Sequence, residues 1–385
     1  MLRQIFIVSV LNFKSLKSRF WQSMVIVVGL AATIGVMLSV LSMSTGMRHA
    51  YYNAGDPGRA IVVSKGADQE MQSAITRAMA PVIAVAPGIA KDKDGKPLAD
   101  RGLNMGVPVL RKDGTTGQAT MRGLGDKALA VRPEIKIVAG RMFQPGRREM
   151  IAGVGARAMY QHMQIGDKVI MPDGEWPIVG IYTSGDLLEG QLLGDTETLL
   201  TATHKTAYST VLVRLASPDS LDTFKKALTT NPTVSVTVER HSDWYKRLAN
   251  QNTFGLALLG YIVGAVMAIG ALFGCLNTMY SAVSNRGREI ATLRALGYGA
   301  FPVAVSVILE AVLLSIAGAL IGAAIAWTLY DGKQDAFGGM VFHLSVSPAQ
   351  IELGVIWAGA VALLGGLFPS IRAARRPVVE ALRAT

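Results

Sequence analysis

The chain has one cysteine, five histidines and few charges, and each scarcity removes a class of function. Cys275 falls inside an apolar run, so no intramolecular disulfide can staple a domain, and the residue reads as a small packing group. The histidines, at positions 49, 162, 204, 241 and 343, show no metal-ligand spacing, and no metal site is expected. Nowhere do the 385 residues contain G-x-x-x-x-G-K followed by Ser or Thr, so ATP is not bound through a Walker motif and any ATPase is expected on a separate polypeptide. Catalytic constellations are also missing. His241-Ser242-Asp243 has the residue types of a triad, but sequence neighbours cannot point at one another as a triad requires, so the segment reads as a helix cap. Gly153-Val154-Gly155-Ala156-Arg157-Ala158 fits G-x-G-x-x-A, yet the helix it opens is short and the position about twenty residues on falls in a hairpin; a tight strand-to-helix turn is the better reading. No catalytic residue and no bound cofactor are expected.

What the chain has is apolar length. Hydrophobic residues make up 50% of it, charged ones only 17%, and the mean hydropathy is +0.35. Four stretches account for this: 20–47, 254–280, 301–330, which carries only Glu310, and 353–371. Each is long enough to span, because about 20 apolar residues at ~1.5 Å rise cross a hydrocarbon layer ~30 Å thick. The first two exceed that need, so their outer ends either rise out of the bilayer as stalks or tilt. The first stretch is longer than the ~7 to 15 residues of a signal-peptide core and reads as a retained anchor.

Charge sets the orientation. Arg3, Lys14, Lys17 and Arg19 precede the first span; Arg286, Arg288 and Arg294 against Glu289 lie between the second and third; Arg372, Arg375, Arg376 and Arg383 against Glu380 follow the fourth. The positive-inside rule puts all three pieces, and so both termini, in the cytoplasm. Most of the net charge of +11 thus records topology and contact with anionic headgroups, and nucleic-acid binding is not expected. The organisation that follows is a cytoplasmic amphipathic helix at 1–19, spans at 20–47, 251–283, 301–330 and 351–371, an extracytoplasmic domain at 48–250, a cytoplasmic helix at 284–300, a short outer loop at 331–350 and a cytoplasmic tail at 372–385. The fold class is a membrane protein of four transmembrane α-helices with a large α+β domain inserted between the first and second.

Within that domain, 60–65 and 82–86 read as strands around a helix at 67–80. Residues 208–215 and 234–238 read as strands around a helix that starts after Ser217-Pro218. Pro172-Asp173-Gly174 predicts a hairpin between 168–171 and 176–182. Residues 90–100 read as a loop.

Within the spans, Gly260 with Gly264, Gly270 with Gly274 and Gly318 with Gly322 have the small-xxx-small spacing that lets helices approach closely, in a bundle or a dimer seam. Glu310 is either a functional carboxylate or a hydrogen-bonded structural one near the inner interface. The segment from Asn285 to Gly299 predicts a short helix between two apolar stretches. On it Arg286 can pair with Glu289, while Ile290, Leu293 and Leu296 form a narrow apolar stripe, and Gly297 stops the helix. Such a helix can dock in a partner's groove or lie on the bilayer surface.

Four stretches resemble the permease subunits of MacB/FtsX-type ABC transporters, the mechanotransmission or type VII class. They are Leu11-Asn12-Phe13-Lys14 through Arg19; Asn277-Thr278-Met279 running into Arg286-Gly287-Arg288-Glu289-Ile290 and Leu293-Arg294-Ala295-Leu296-Gly297; Glu310 with Gly318 and Gly322; and Leu367-Phe368-Pro369-Ser370-Ile371-Arg372 with Ala373, Ala374, Arg375, Pro377, Glu380, Ala381, Leu382 and Arg383. The outer domain is similar more loosely, through Gly140-Arg141-Met142-Phe143, Ile165-Gly166-Asp167 and Ile178-Val179-Gly180. Ala291 stands where the family usually has Gly.

The resemblance implies an inner-membrane permease that works as a dimer with a second copy or a paralogue. Arg286, Arg288, Glu289, Ile290, Leu293, Arg294, Leu296 and Gly297 would meet a separate ABC ATPase, which would bind the ATP and Mg. A periplasmic membrane-fusion or adaptor protein is a further candidate partner. Function would be export or release of a substrate driven by motion of the outer domain. The alternatives are a membrane-anchored, force-transmitting sensor or scaffold that moves nothing, and an extracytoplasmic enzyme on a four-helix anchor.

Overall fold

A computed structural model describes Gln4, residues 20–337 and residues 340–375. The amphipathic helix expected over 1–19, apart from Gln4, and the tail beyond Arg375 lie outside the described residues. The chain divides into two compact units: a helical one (1–45, 254–333, 344–385) and a mixed one (46–253, 334–343).

Among the described residues four helices, Phe20–Ala54, His241–Asn285, Ala300–Tyr330 and Pro348–Arg375, are long and apolar enough to cross a membrane by length and composition, and the helical unit takes the larger part of the first two and the other two whole. Its interior gathers Leu30, Ile34 and Met37 from the first, Cys275 from the second, Ala311 from the third and Ala362 from the fourth. The outward faces are just as apolar: Phe254, Val266, Phe273, Leu320, Ile325 and Leu364 are all exposed. A helix apolar all round suits lipid on one side and protein on the other.

The described residues of the mixed unit form fourteen strands: β1 (Arg59–Ser64), β2 (Ile75–Thr76), β3 (Ala99–Leu110), β4 (Thr116–Leu124), β5 (Lys136–Gly140), β6 (Met150–Gly153), β7 (Lys168–Met171), β8 (Gly174–Thr183), β9 (Leu192–Asp195), β10 (Ala207–Tyr208), β11 (Thr210–Arg214), β12 (Val236–Arg240), β13 (Gln334–Phe337) and β14 (Met340–His343). The main sheet runs β12-β1-β11-β3-β4-β9-β6-β8-β5, with β7 paired to β8. Neighbours are antiparallel except β4 with β9 and β6 with β8. β1 lies between β11 and β12, and its run Ala60-Ile61-Val62-Val63 is buried on both faces, as a continuous apolar stretch demands. One core forms around Trp176, Phe224, Tyr160 and Met121; a second holds Leu124, Phe143, Ile151 and Tyr182. The β7–β8 hairpin turns where Pro172-Asp173-Gly174 predicts it, with Gly174 at φ 127° and the Trp176 indole donating to Asp173 at 2.8 Å.

Two local expectations are overturned. Residues 67–80 do not form a helix; they make a 3-10 turn at Glu70–Gln72 and the short β2, and the strand expected at 82–86 is instead part of the helix Met79–Ala84. Tertiary contacts override local preference here. Glu70 is drawn inward to a buried arginine, and Ser73 Oγ accepts from the Ser64 amide at 2.8 Å. Pro81 sits in the first turn of its helix, where no amide donor is needed. The 90–100 loop is closed on itself: Leu98 N donates to Ala90 O, and Asp92 accepts from the Asp94 and Lys96 amides. The loop expected over 331–350 contains the β13–β14 hairpin, which groups with the mixed unit.

Candidate coupling site

The segment singled out by the sequence folds as the helix Gly287–Ala295, between the long helices that end at Asn285 and begin at Ala300. Gly297 adopts φ 93°, a left-handed conformation that stops a helix and suits glycine. Arg286 occupies the cap position at the start. Its side chain is buried and reaches in two directions: Nε lies 3.3 Å from Glu289 Oε2, and Nη1 lies 3.1 Å from Glu310 Oε2. Glu310 is 7% exposed, so its carboxylate is charge-paired inside protein and not directed at lipid. The Glu289 side chain is 63% exposed.

The apolar stripe does not stay together. Ile290 and Ala291 are buried in the helical unit, whereas Leu296 is 71% exposed. Ile290 therefore anchors the helix to its own unit instead of offering itself to a partner's groove. Arg294 is half-buried, and the Arg288 and Leu293 side chains lie outside the described residues. Sequence reasoning found the Arg286–Glu289 pair but not the Arg286–Glu310 one. The two residues are 24 positions apart, and their meeting depends on the turn through Gly297 and Gly299.

The glycine pairs divide by environment. A Cβ at Gly318 would lie 2.6 Å from the Val27 carbonyl oxygen, and one at Gly322 would lie 2.3 Å from that of Ala31. Gly260 and Gly264 face the Leu41 and Met37 side chains, while Gly270 and Gly274 have open space beyond them. The first four positions thus serve packing within one chain.

The remaining motifs resolve as structure. Gly153 closes β6 ahead of the helix Val154–Met159, and a Cβ there would lie 2.0 Å from the Glu189 carbonyl oxygen, so the glycines admit a neighbouring turn. His241 does not cap its helix from outside; it begins the helix, buried, and its Nδ1 accepts from the Asp56 amide at 3.1 Å. No group of three or more potential metal ligands occurs among the described residues.

Comparison with known proteins adds a family to this geometry. The model for the FtsX-like permease C-terminal region matches residues 261–378, and that for the MacB-like periplasmic core domain matches residues 23–231. The macrolide export ATP-binding/permease protein MacB of Psychrobacter cryohalolentis is 27% identical over 143 residues, 37% of this chain and 21% of that protein. The ABC transporter permease YtrF of Bacillus subtilis is 28% identical over 151 residues, 35% of each. The chain thus spans well under two thirds of either relative's length. The crystal structure of the periplasmic region of MacB from Actinobacillus actinomycetemcomitans overlaps 51% of this chain and 94% of its own at 12% identity and a TM-score of 0.39. Four apolar helices joined to a periplasmic-type domain fit a multi-pass membrane protein of the inner membrane. On these matches, the chain belongs to the MacB/FtsX-like family of ABC transporter permeases.

Proposed function

We propose that this permease couples ATP hydrolysis on a separate ATPase subunit to motion of its extracytoplasmic domain, and that the helix Gly287–Ala295 is the point where the ATPase takes hold. The observation that carries the reading is the buried Arg286, which joins Glu289 on the short helix to Glu310 on the next long helix. A helix so pinned does not slide independently of its neighbour. A push on the exposed Glu289 and Leu296 is passed through Arg286 to a rigid rod of 31 residues, about 46 Å long at 1.5 Å per residue. Arg288, Leu293, Arg294 and Gly297 complete the contact segment, and Glu310 acts as the anchor inside the bundle.

By the positive-inside rule the basic flanks favour a cytoplasmic position for this helix and both termini, on the side where an ATPase would be found. A dimer of permeases gripping two ATPases, which hold the ATP and Mg, would turn nucleotide-driven closure into movement outside the membrane and so export or release a substrate. The test is reconstitution with the ATPase. Glu289→Ala is expected to lower ATPase co-purification and permease-dependent ATP hydrolysis while membrane insertion stays normal. Unchanged hydrolysis, or labelling of a cysteine at position 296 from the outer side only in a Cys275→Ala background, overturns the reading.

A further inference from the structure

The mixed unit contains a cavity of about 270 Å³ that the coupling reading does not use. One wall is polar and deeply buried. Arg122 donates to Glu70 through Nη1 at 2.9 Å and Nη2 at 3.3 Å, and through Nε to Gln191 at 3.0 Å; Asn104 Nδ2 donates to Glu70 Oε2 at 2.9 Å. Burial works against the arginine's charge, but the Glu70 carboxylate more than offsets it and holds the Arg122 pKa above its ordinary value. Met47, Leu187, Leu248 and Met340 add apolar lining, and Gln69 and the exposed Met71 complete it.

The ion pair accounts for Glu70 and Arg122, but it leaves hydrogen-bonding capacity over. Asn104 is 4% exposed, and its Oδ1 meets no protein donor. Tyr51 accepts from Asn252 at 2.9 Å, which leaves its own proton to donate. Tyr245, 5% exposed, lines the same cavity with its hydroxyl making no hydrogen bond among the described residues. Two phenol protons left over beside an apolar lining are costly unless something in the cavity accepts from them.

We propose that this cavity binds a small uncharged amphipathic molecule of alcohol type, its hydroxyl accepting from the Tyr51 or Tyr245 hydroxyl while its alkyl body lies against Met47, Leu187, Leu248 and Met340. The volume is that of about nine waters of liquid, which admits a chain of roughly octanol's size. A charged ligand is disfavoured, because the one buried carboxylate and the one buried guanidinium at the wall already neutralise each other.

The probe is octanol carrying a diazirine, photolysed with the full chain in lipid nanodiscs and mapped by mass spectrometry. Labelling at Tyr51, Tyr245 or Met340 is expected to saturate and to be displaced by excess 1-octanol. Lipid-facing residues between Phe254 and Tyr280 report non-specific partitioning. Met71→Trp, a change at the most exposed apolar residue of the lining, is expected to cut cavity labelling at least fivefold and leave the lipid-facing labelling as it was. Tyr245→Phe keeps the ring and removes only the hydroxyl, and should weaken 1-octanol competition about fivefold. Cavity labelling that does not saturate, or that both variants leave unchanged, overturns the assignment and assigns the unpaired groups to buried water. No ATPase is needed, so the outcome is independent of the coupling test.

Discussion

Arg286 Nη1 lies 3.1 Å from Glu310 Oε2 with both side chains less than a tenth exposed, so the short helix is tied to the third long helix by a desolvated ion pair. Such a pair gives back much of its attraction in desolvation, but removing one member takes a charge partner from a residue that stays buried. Glu310→Leu is therefore expected to lower stability by about 3 kcal/mol, and Arg286→Met in the same chain to restore a good part of it. Unfolding of the single and double variants in mixed micelles measures this. Strictly additive losses would show that the two residues act apart.

The glycines give a sharper contrast. A methyl at Gly322 would sit 2.3 Å from the Ala31 carbonyl oxygen, a contact that only backbone separation relieves. Gly322→Ala is expected to cost about 1 to 3 kcal/mol. At Gly270 and Gly274 nothing lies within 4 Å, and alanine there should be neutral or gain up to about 1 kcal/mol from helix propensity. Thermal unfolding of the three variants side by side is the measurement. A loss at Gly270 equal to that at Gly322 would point to a second chain packed on that face.

These contrasts show what a one-dimensional reading reaches. Apolar length gives the four long helices, and Pro172-Asp173-Gly174 gives a hairpin, because each signal is local. The β3–β4 hairpin carries a comparable local signal in Asp113-Gly114, with Gly114 at φ 84°. The segment 285–299 was legible as a helix with an i,i+3 pair. Its third member, Glu310, and the inward turn of Ile290 were not, since both depend on how neighbouring helices pack. Residues 67–80 misled for the same reason: Glu70 is committed to Arg122, 52 positions away. The cavity wall, drawn from Glu70, Asn104, Arg122 and Gln191, leaves no trace in spacing at all.

Arg141 and Glu149 supply a pH-dependent test. Two hydrogen bonds of 2.7 Å from the Arg141 guanidinium hold the Glu149 carboxyl below the ordinary glutamate range. A carboxylate whose folded pKa is depressed adds stability above its unfolded pKa, about 4.3, and loses that contribution as pH falls through the folded value. Glu149→Gln should thus cost about 1 kcal/mol near pH 7, modest because Arg141 is half exposed. The gap from the unaltered protein should close below about pH 4. Melting curves across that range decide it, and a gap independent of pH would mean that packing, not charge, is what Glu149 provides.

The β13–β14 hairpin makes the last prediction. It comes from the loop between the third and fourth long helices, yet Val341 and Phe342 are buried in the mixed unit. A Cβ at Gly190 would lie 2.8 Å from the Val341 amide nitrogen, and one at Gly155 would lie 3.2 Å from its side chain, so the two glycines form the seat on which β14 rests. Gly190→Ala should lift the strand and cost about 1 to 3 kcal/mol. Hydrogen exchange should quicken at Val341, Phe342 and His343, whereas the amides of β1, between its two partners, should exchange as before. Unchanged exchange over the hairpin would show that a methyl fits beneath it and that the glycine is there for another reason.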